Sequence, residues 1–147
     1  MGNIALLQRR IAATGIVAVG WCAGMPYAAA ENPICSADAC SFYSPSHNIS
    51  CEIDYQRGAG MPDMTYCQIA SPQHLQQSVH MDPTGAFTVC TGETCLGNPG
   101  LGQATLAYGQ TAGIGPFSCL SEAGGITCRV TSGRGFTISS SGITPAG

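Results

Sequence analysis

Short runs of alternating apolar and polar residues recur between positions 42 and 140. Ile49-Ser50-Cys51-Glu52-Ile53-Asp54-Tyr55 keeps a period of two, and so does Met64-Thr65-Tyr66-Cys67-Gln68-Ile69. That period places successive side chains on opposite faces of a strand. The same reading predicts strands over 86–90, 104–108, 117–120, 126–130 and 136–139. Clusters of Gly, Pro, Asn and Ser at 57–63, 92–102, 109–116 and 132–135 separate them as turns. One segment, Ser71-Pro72-Gln73-His74-Leu75-Gln76-Gln77, reads as a short helix, with Ser at the N-cap and Pro at the first helical position. Residues 141–147 read as a disordered tail. Many short strands with frequent turns predict a mostly β domain over 42–140, a small sandwich or barrel of antiparallel hairpins with at most one short helix.

The first 30 residues are of another material. Arg9 and Arg10 precede an apolar stretch from Ile11 to Ala23, and Tyr27-Ala28-Ala29-Ala30 supplies small residues before Glu31. This is the layout of a secretory signal peptide cut near Ala30. The apolar stretch is shorter than the ~20 residues of a membrane span. Trp21 before Cys22 argues against lipid attachment there, and Gln8 and Ala12-Ala13 around the arginine pair favour ordinary secretion over twin-arginine export. The expected location is therefore extracellular or in the cell envelope, with residues 31–41 leading into the domain.

Removing that segment changes the charge. The 147-residue chain carries −3, has no Lys and is only 9% charged. Residues 31–147 keep all eight acids against Arg57, Arg129 and Arg134, a formal charge of −5. An acidic, lysine-free surface disfavours nucleic acid and anionic membranes as partners.

Nine cysteines become eight without Cys22: Cys35, Cys40, Cys51, Cys67, Cys90, Cys95, Cys119 and Cys128. An even set in an exported chain reads as a disulfide framework, with 105 possible pairings. Hairpin geometry selects two of these pairs. A two-residue Ala123-Gly124 turn sets 119 opposite 128, and a three-residue Gly58-Ala59-Gly60 turn sets 51 opposite 67. Cross-strand neighbours have the Cα separation that a disulfide needs. Cys35/Cys40 and Cys90/Cys95 either close small loops or pair across the fold. Zinc is the rival, because these spacings and His74…His80 sit at the edge of zinc patterns, but oxidised cysteines offer no thiolate. No metal and no cofactor is expected.

The chain echoes itself. Phe42 to Ile53 and Phe117 to Val130 both read Phe, a Ser-containing turn, then Ile-Ser/Thr-Cys-x-aliphatic. Two hairpins solving one packing problem account for this better than a duplicated ligand site. The combination Phe42-x-Ser44-Pro45-Ser46-x-Asn48-Ile49-x-Cys51, Leu106-x-Tyr108-Gly109, Gly125-Ile126-Thr127-Cys128 and Ser132-Gly133-x-Gly135-Phe136 resembles a family of small secreted actinobacterial proteins, mycobacterial in type, of unknown function. His47 stands where that family usually has Gly, Arg134 where His is common, and Cys35, Cys40 and Cys95 look like additions. The resemblance implies secretion and a β-fold and carries no catalytic residues.

Catalytic signatures are missing: there is no Gly-x-Ser-x-Gly elbow, no His-Glu-x-x-His and no P-loop. His80-Met81-Asp82 reads as the start of a turn, and Glu52 with Asp54 as a solvated strand face. Asn48-Ile49-Ser50 matches a glycosylation acceptor and reads as inert in a bacterial protein. The candidate binding residues are Arg134 and Phe136 in a Gly-flanked segment, and Tyr108 at a strand end. The expected function is a non-catalytic extracellular or envelope binding module, its ligand unspecified. The alternatives are a secreted inhibitor of lysozyme or protease type, displaying the Cys90–Cys95 loop or Gly109–Pro116, and a small hydrolase.

Overall fold

A computed structural model describes residues 33–70 and 75–147. The signal-peptide reading and most of the helix at 71–77 fall outside them.

Among the described residues, eleven strands form two open sheets. β1 (Ala39–Tyr43), β2 (Ile49–Asp54), β3 (Met64–Ile69), β4 (Gln77–Met81), β5 (Phe87–Thr91) and β6 (Ala104–Thr105) make one, in the order β5-β4-β3-β2-β1-β6. β7 (Thr111–Ile114), β8 (Phe117–Glu122), β9 (Gly125–Val130), β10 (Gly135–Ser139) and β11 (Gly142–Ala146) make the other, in the order β11-β10-β9-β8-β7. All pairings are antiparallel except β1 with β6. Each sheet is thus one continuous stretch of chain, and the path changes sheets once, between residues 105 and 111. Of the two architectures that the sequence allows, the open sheets are those of a sandwich.

Period two explains the core. Ile49, Cys51 and Ile53 point inward from β2, Thr65, Cys67 and Ile69 from β3, and Ile126, Cys128 and Val130 from β9, all buried. Phe42, Met81, Leu106, Phe117, Phe136 and Ile138 fill the space around them. The echoed Ile-Ser/Thr-Cys-x-aliphatic runs are β2 and β9, the inner strands of the two sheets, so the repetition is a repetition of core packing.

The disulfides are Cys35–Cys40, Cys51–Cys67, Cys90–Cys95 and Cys119–Cys128. The two undecided pairs close small local loops. Cys51–Cys67 and Cys119–Cys128 lie back to back across the core, with Cys67 Sγ 3.8 Å from Cys128 Sγ. The register 51↔67 is as expected, but its turn is not three residues: the strands part after Asp54 and rejoin at Met64, leaving a nine-residue connection. Arg57 holds it down, its Nη1 donating to Glu52 Oε1 at 2.7 Å and Asp54 Oδ1 at 2.6 Å.

Several elements differ from the sequence reading. Among the described residues the one helical turn is a 3₁₀ turn at Glu93–Cys95, and Gln77 opens β4. β1 and the Cys35–Cys40 loop extend the domain N-terminally past 42. The 104–108 strand stops at Thr105. The stretch read as the Gly109–Pro116 turn contains β7, whose Gly113 interrupts the apolar pattern yet fits because a Cβ there would lie 2.6 Å from Phe117 O. The tail at 141–147 is also ordered, since Gly142–Ala146 form β11. Pro145 is tolerated there because β11 is an edge strand that pairs on one side only.

Candidate functional site

Turns at one end of the sandwich bring the echoed segments together. Ser44-Pro45-Ser46-His47-Asn48 joins β1 to β2, Ala123-Gly124 joins β8 to β9, and Tyr108 lies between β6 and β7. Ser44 Oγ and Ser46 Oγ both bond Asn48 Oδ1, and Ile49 N–H donates to Ser44 Oγ at 3.3 Å, so the turn is cross-braced. His47 takes a positive φ of 58°, and its ring stacks on Tyr43 at 4.9 Å while Nε2 reaches Thr105 Oγ1 at 2.9 Å. This histidine ties the turn to β6. The result is a cleft of about 70 Å³ lined by Ser44, Ser46, Asn48, Tyr108, Glu122 and Ser140. Tyr108 stands at its rim, 55% exposed.

The outer face of the six-stranded sheet is the second candidate surface. Register alone sets Ser41, Glu52, Tyr66, His80 and Thr88 in one row across five strands. The Tyr66 and His80 rings are 4.7 Å apart. The segment 92–103 folds over part of this face. Cys90–Cys95 anchors its start, and Gly97 N–H donates to Gln68 Oε1 at 2.6 Å and to Tyr66 Oη at 3.0 Å. Gln68 Nε2 returns a bond to Gly97 O at 3.1 Å. Near the end of the segment, Gln103 Nε2 donates to Cys51 O at 3.2 Å. Gln103 Oε1 is buried with no hydrogen-bond partner among the described residues. An unmet buried acceptor costs about 1–3 kcal/mol. Between segment and sheet lies a cleft of about 80 Å³.

The three residues singled out from the sequence do not meet. Phe136 is a core residue and not a surface one, fully buried with its ring 5.8 Å from Phe87: its inward phase in β10 overrides the flanking glycines. Arg134 lies in the β9–β10 turn, at the end of the sandwich opposite Tyr108, close enough to Asp82 to help hold that carboxyl below its ordinary range. The larger cause of that shift is Thr84, whose Oγ1 and N–H both donate to Asp82 Oδ1, at 2.6 and 2.7 Å. Asp82 therefore braces its own turn and makes no hydrogen bond to His80. Tyr108 and Arg134 are both exposed, at opposite ends of the sandwich.

The paired carboxylates also change character. Glu52 and Asp54 are not simply solvated, because both accept from one guanidinium. Asp54, then Glu52, raise the Arg57 pKa above its ordinary value by hydrogen bonding. Cys51, Cys67 and Cys128 bring three Sγ atoms within 4.8 Å of one another. All three are half-cystines, so none is a thiolate that would take a metal. The Glu52–Tyr66 neighbourhood was derivable from the 51↔67 register; His80, Gln68 and Gln103 join it through a β3–β4 pairing and a loop path that no sequence pattern signals.

Compared with known proteins, the chain matches no family model, no curated sequence and no solved structure.

Proposed function

We propose that the protein is an exported, non-catalytic binding module of the cell envelope or extracellular space, akin to the small secreted actinobacterial proteins that its motifs resemble, and that it engages its ligand at the Tyr108 end of the sandwich. One observation carries the reading: a half-exposed tyrosine stands over a cleft whose other walls are the oxygen-rich side chains of Ser44, Ser46, Asn48, Glu122 and Ser140. An amphipathic ring beside convergent hydrogen-bonding groups suits recognition of a polar ligand. Four disulfides, and the absence among the described residues of a helix long and apolar enough to cross a membrane, support an extracellular setting.

The test is retention of purified envelope polysaccharide and of purified secreted proteins by the immobilised protein at micromolar concentration. Tyr108→Ala abolishes retention and Arg134→Ala leaves it unchanged. Absence of any retained ligand, or equal retention by Tyr108→Ala, overturns the proposal.

The inhibitor reading keeps one observation in its favour. Leu101 is 97% exposed on the segment held by Cys90–Cys95, an apolar side chain displayed on a braced loop. Inhibition of a lysozyme or a protease that Leu101→Asp abolishes would replace the first reading with this one.

A further inference from the structure

We propose that the cleft between β2–β3 and the segment 92–103 is a binding site for a primary ammonium group carried on a larger ligand. This site is distinct from the Tyr108 cleft, which lies around the end of the sandwich.

Tyr66 Oη donates to Gln68 Oε1 at 2.5 Å, Gln68 Nε2 to Gly97 O, Gly97 N–H back to those two side chains, and Gln103 Nε2 to Cys51 O. Each of these groups commits a hydrogen within the protein, and the two amide NH2 groups keep a second one. Among the residues lining the cleft, which include the possible donors Ser50 and Asn98, two also have unused acceptor capacity. Gln103, 8% exposed, keeps an unpartnered Oε1, and Glu52 uses one carboxylate oxygen on Arg57 and has a second. Ser50 lines the same space.

Charge points the same way. Glu52 and Asp54 share the single cation Arg57, which leaves the trio at −1. An ammonium brings three donors, a positive charge and no lone pair to clash with these oxygens. A hydroxyl brings one donor and two lone pairs, so it meets the acceptors less well. Size adds a limit: about 80 Å³ admits two or three groups the size of a water, enough for an ammonium and its neighbouring methylene but not for a buried sugar ring. A lysine side chain and an amino sugar share this chemistry.

The experiment is a titration of the ¹⁵N-labelled protein followed at the Gly97 and Gln103 backbone amides. The probes are Nα-acetyl-lysine methylamide and glucosamine, with Nα-acetyl-norleucine methylamide and N-acetylglucosamine as neutral counterparts. Saturable shifts at millimolar concentration are expected for at least one amine and for neither neutral probe. The amine that binds identifies the source. Glu52→Gln and Gln103→Leu each weaken binding about tenfold, whereas Arg57→Met, which removes the competing cation, tightens it. Both Cys51–Cys67 strands keep their register in these variants, and a dispersed spectrum checks that. Neutral probes binding as well as amines, no shifts with either amine, or unchanged affinity in Glu52→Gln and Gln103→Leu would each overturn the assignment.

Discussion

Two hairpins face one another at the centre of this sandwich and are built on opposite plans. β8–β9 turns in two residues, and its register follows from the turn alone. β2–β3 must span nine residues before it closes, and the open connection is held by the Arg57 guanidinium on Glu52 and Asp54. Each hairpin nonetheless carries a cystine between directly opposed residues, and the two cystines touch. Each also sets an unpartnered buried hydroxyl two residues from a half-cystine, Thr65 Oγ1 beside Cys67 and Ser121 Oγ beside Cys119. The lesson is that one covalent device serves two needs. In the tight hairpin it reinforces a register already fixed locally, and in the wide one it helps to define the register.

The largest effect that separates them comes from removing the bridges. On chain-entropy grounds, loops of sequence separation 16 and 9 are worth about 3 kcal/mol and a few tenths less, respectively. If the wide hairpin depends on its bridge for register, Cys51→Ala/Cys67→Ala loses more than that small difference predicts. Urea titrations of the two double variants decide the matter: equal losses, or a greater loss for Cys119→Ala/Cys128→Ala, would break the contrast.

The tight hairpin has its own weak point at Gly125, with φ at 142° and an added Cβ falling 2.2 Å from Ile138 O. Gly125→Ala should destabilise by about 2 kcal/mol through strain and displacement of β10. Gly60, in the wide connection, has a positive φ of 91° but open space around it. Gly60→Ala should cost about 1 kcal/mol, and thermal denaturation of the pair ranks them. Arg57→Met leaves Asp54, only 3% exposed, without its cation, and about 1 kcal/mol is expected to be lost, with faster amide exchange at 55–63 and none at 123–124. Smallest, and opposite in sign, is Thr65→Val. It deletes an unmet hydroxyl at nearly constant volume and should raise stability by up to about 1 kcal/mol. A loss would show that Thr65 Oγ1 has a role that its surroundings do not display.

These contrasts also show what a sequence carries. Period two identified β2, β3, β8, β9 and β10 because each turns a row of apolar residues into the core, and hairpin symmetry about 123–124 and about Ala59 fixed both central bridges. β7 and β11 escaped because Thr-Ala-Gly-Ile and Gly-Ile-Thr-Pro-Ala carry too few large apolar residues to show a period, being edge strands with less to bury. β4 was obscured by a preceding Ser-Pro that resembles a helix start, although its Val79 and Met81 are core residues. For the candidate sites the difference is starker. Tyr108 stands exposed, as a strand-end aromatic can, whereas Phe136 is claimed by the core, and Gln103 owes its place to a loop folding back over residues more than 30 positions earlier.

All four cystines span short separations of 5, 16, 5 and 9 residues, and each lies within a single sheet or its flanking loop. Nothing covalent joins the six-stranded sheet to the five-stranded one apart from the single crossing of the chain. Under tension, then, the sandwich is a laminate: its two plies separate by breaking only non-covalent contacts. The released chain is shortened chiefly by the Cys51–Cys67 loop, which withholds roughly 50 Å of contour. Such a protein yields early to a pull but keeps each central hairpin stapled, ready to re-lay one ply upon the other when the load is gone.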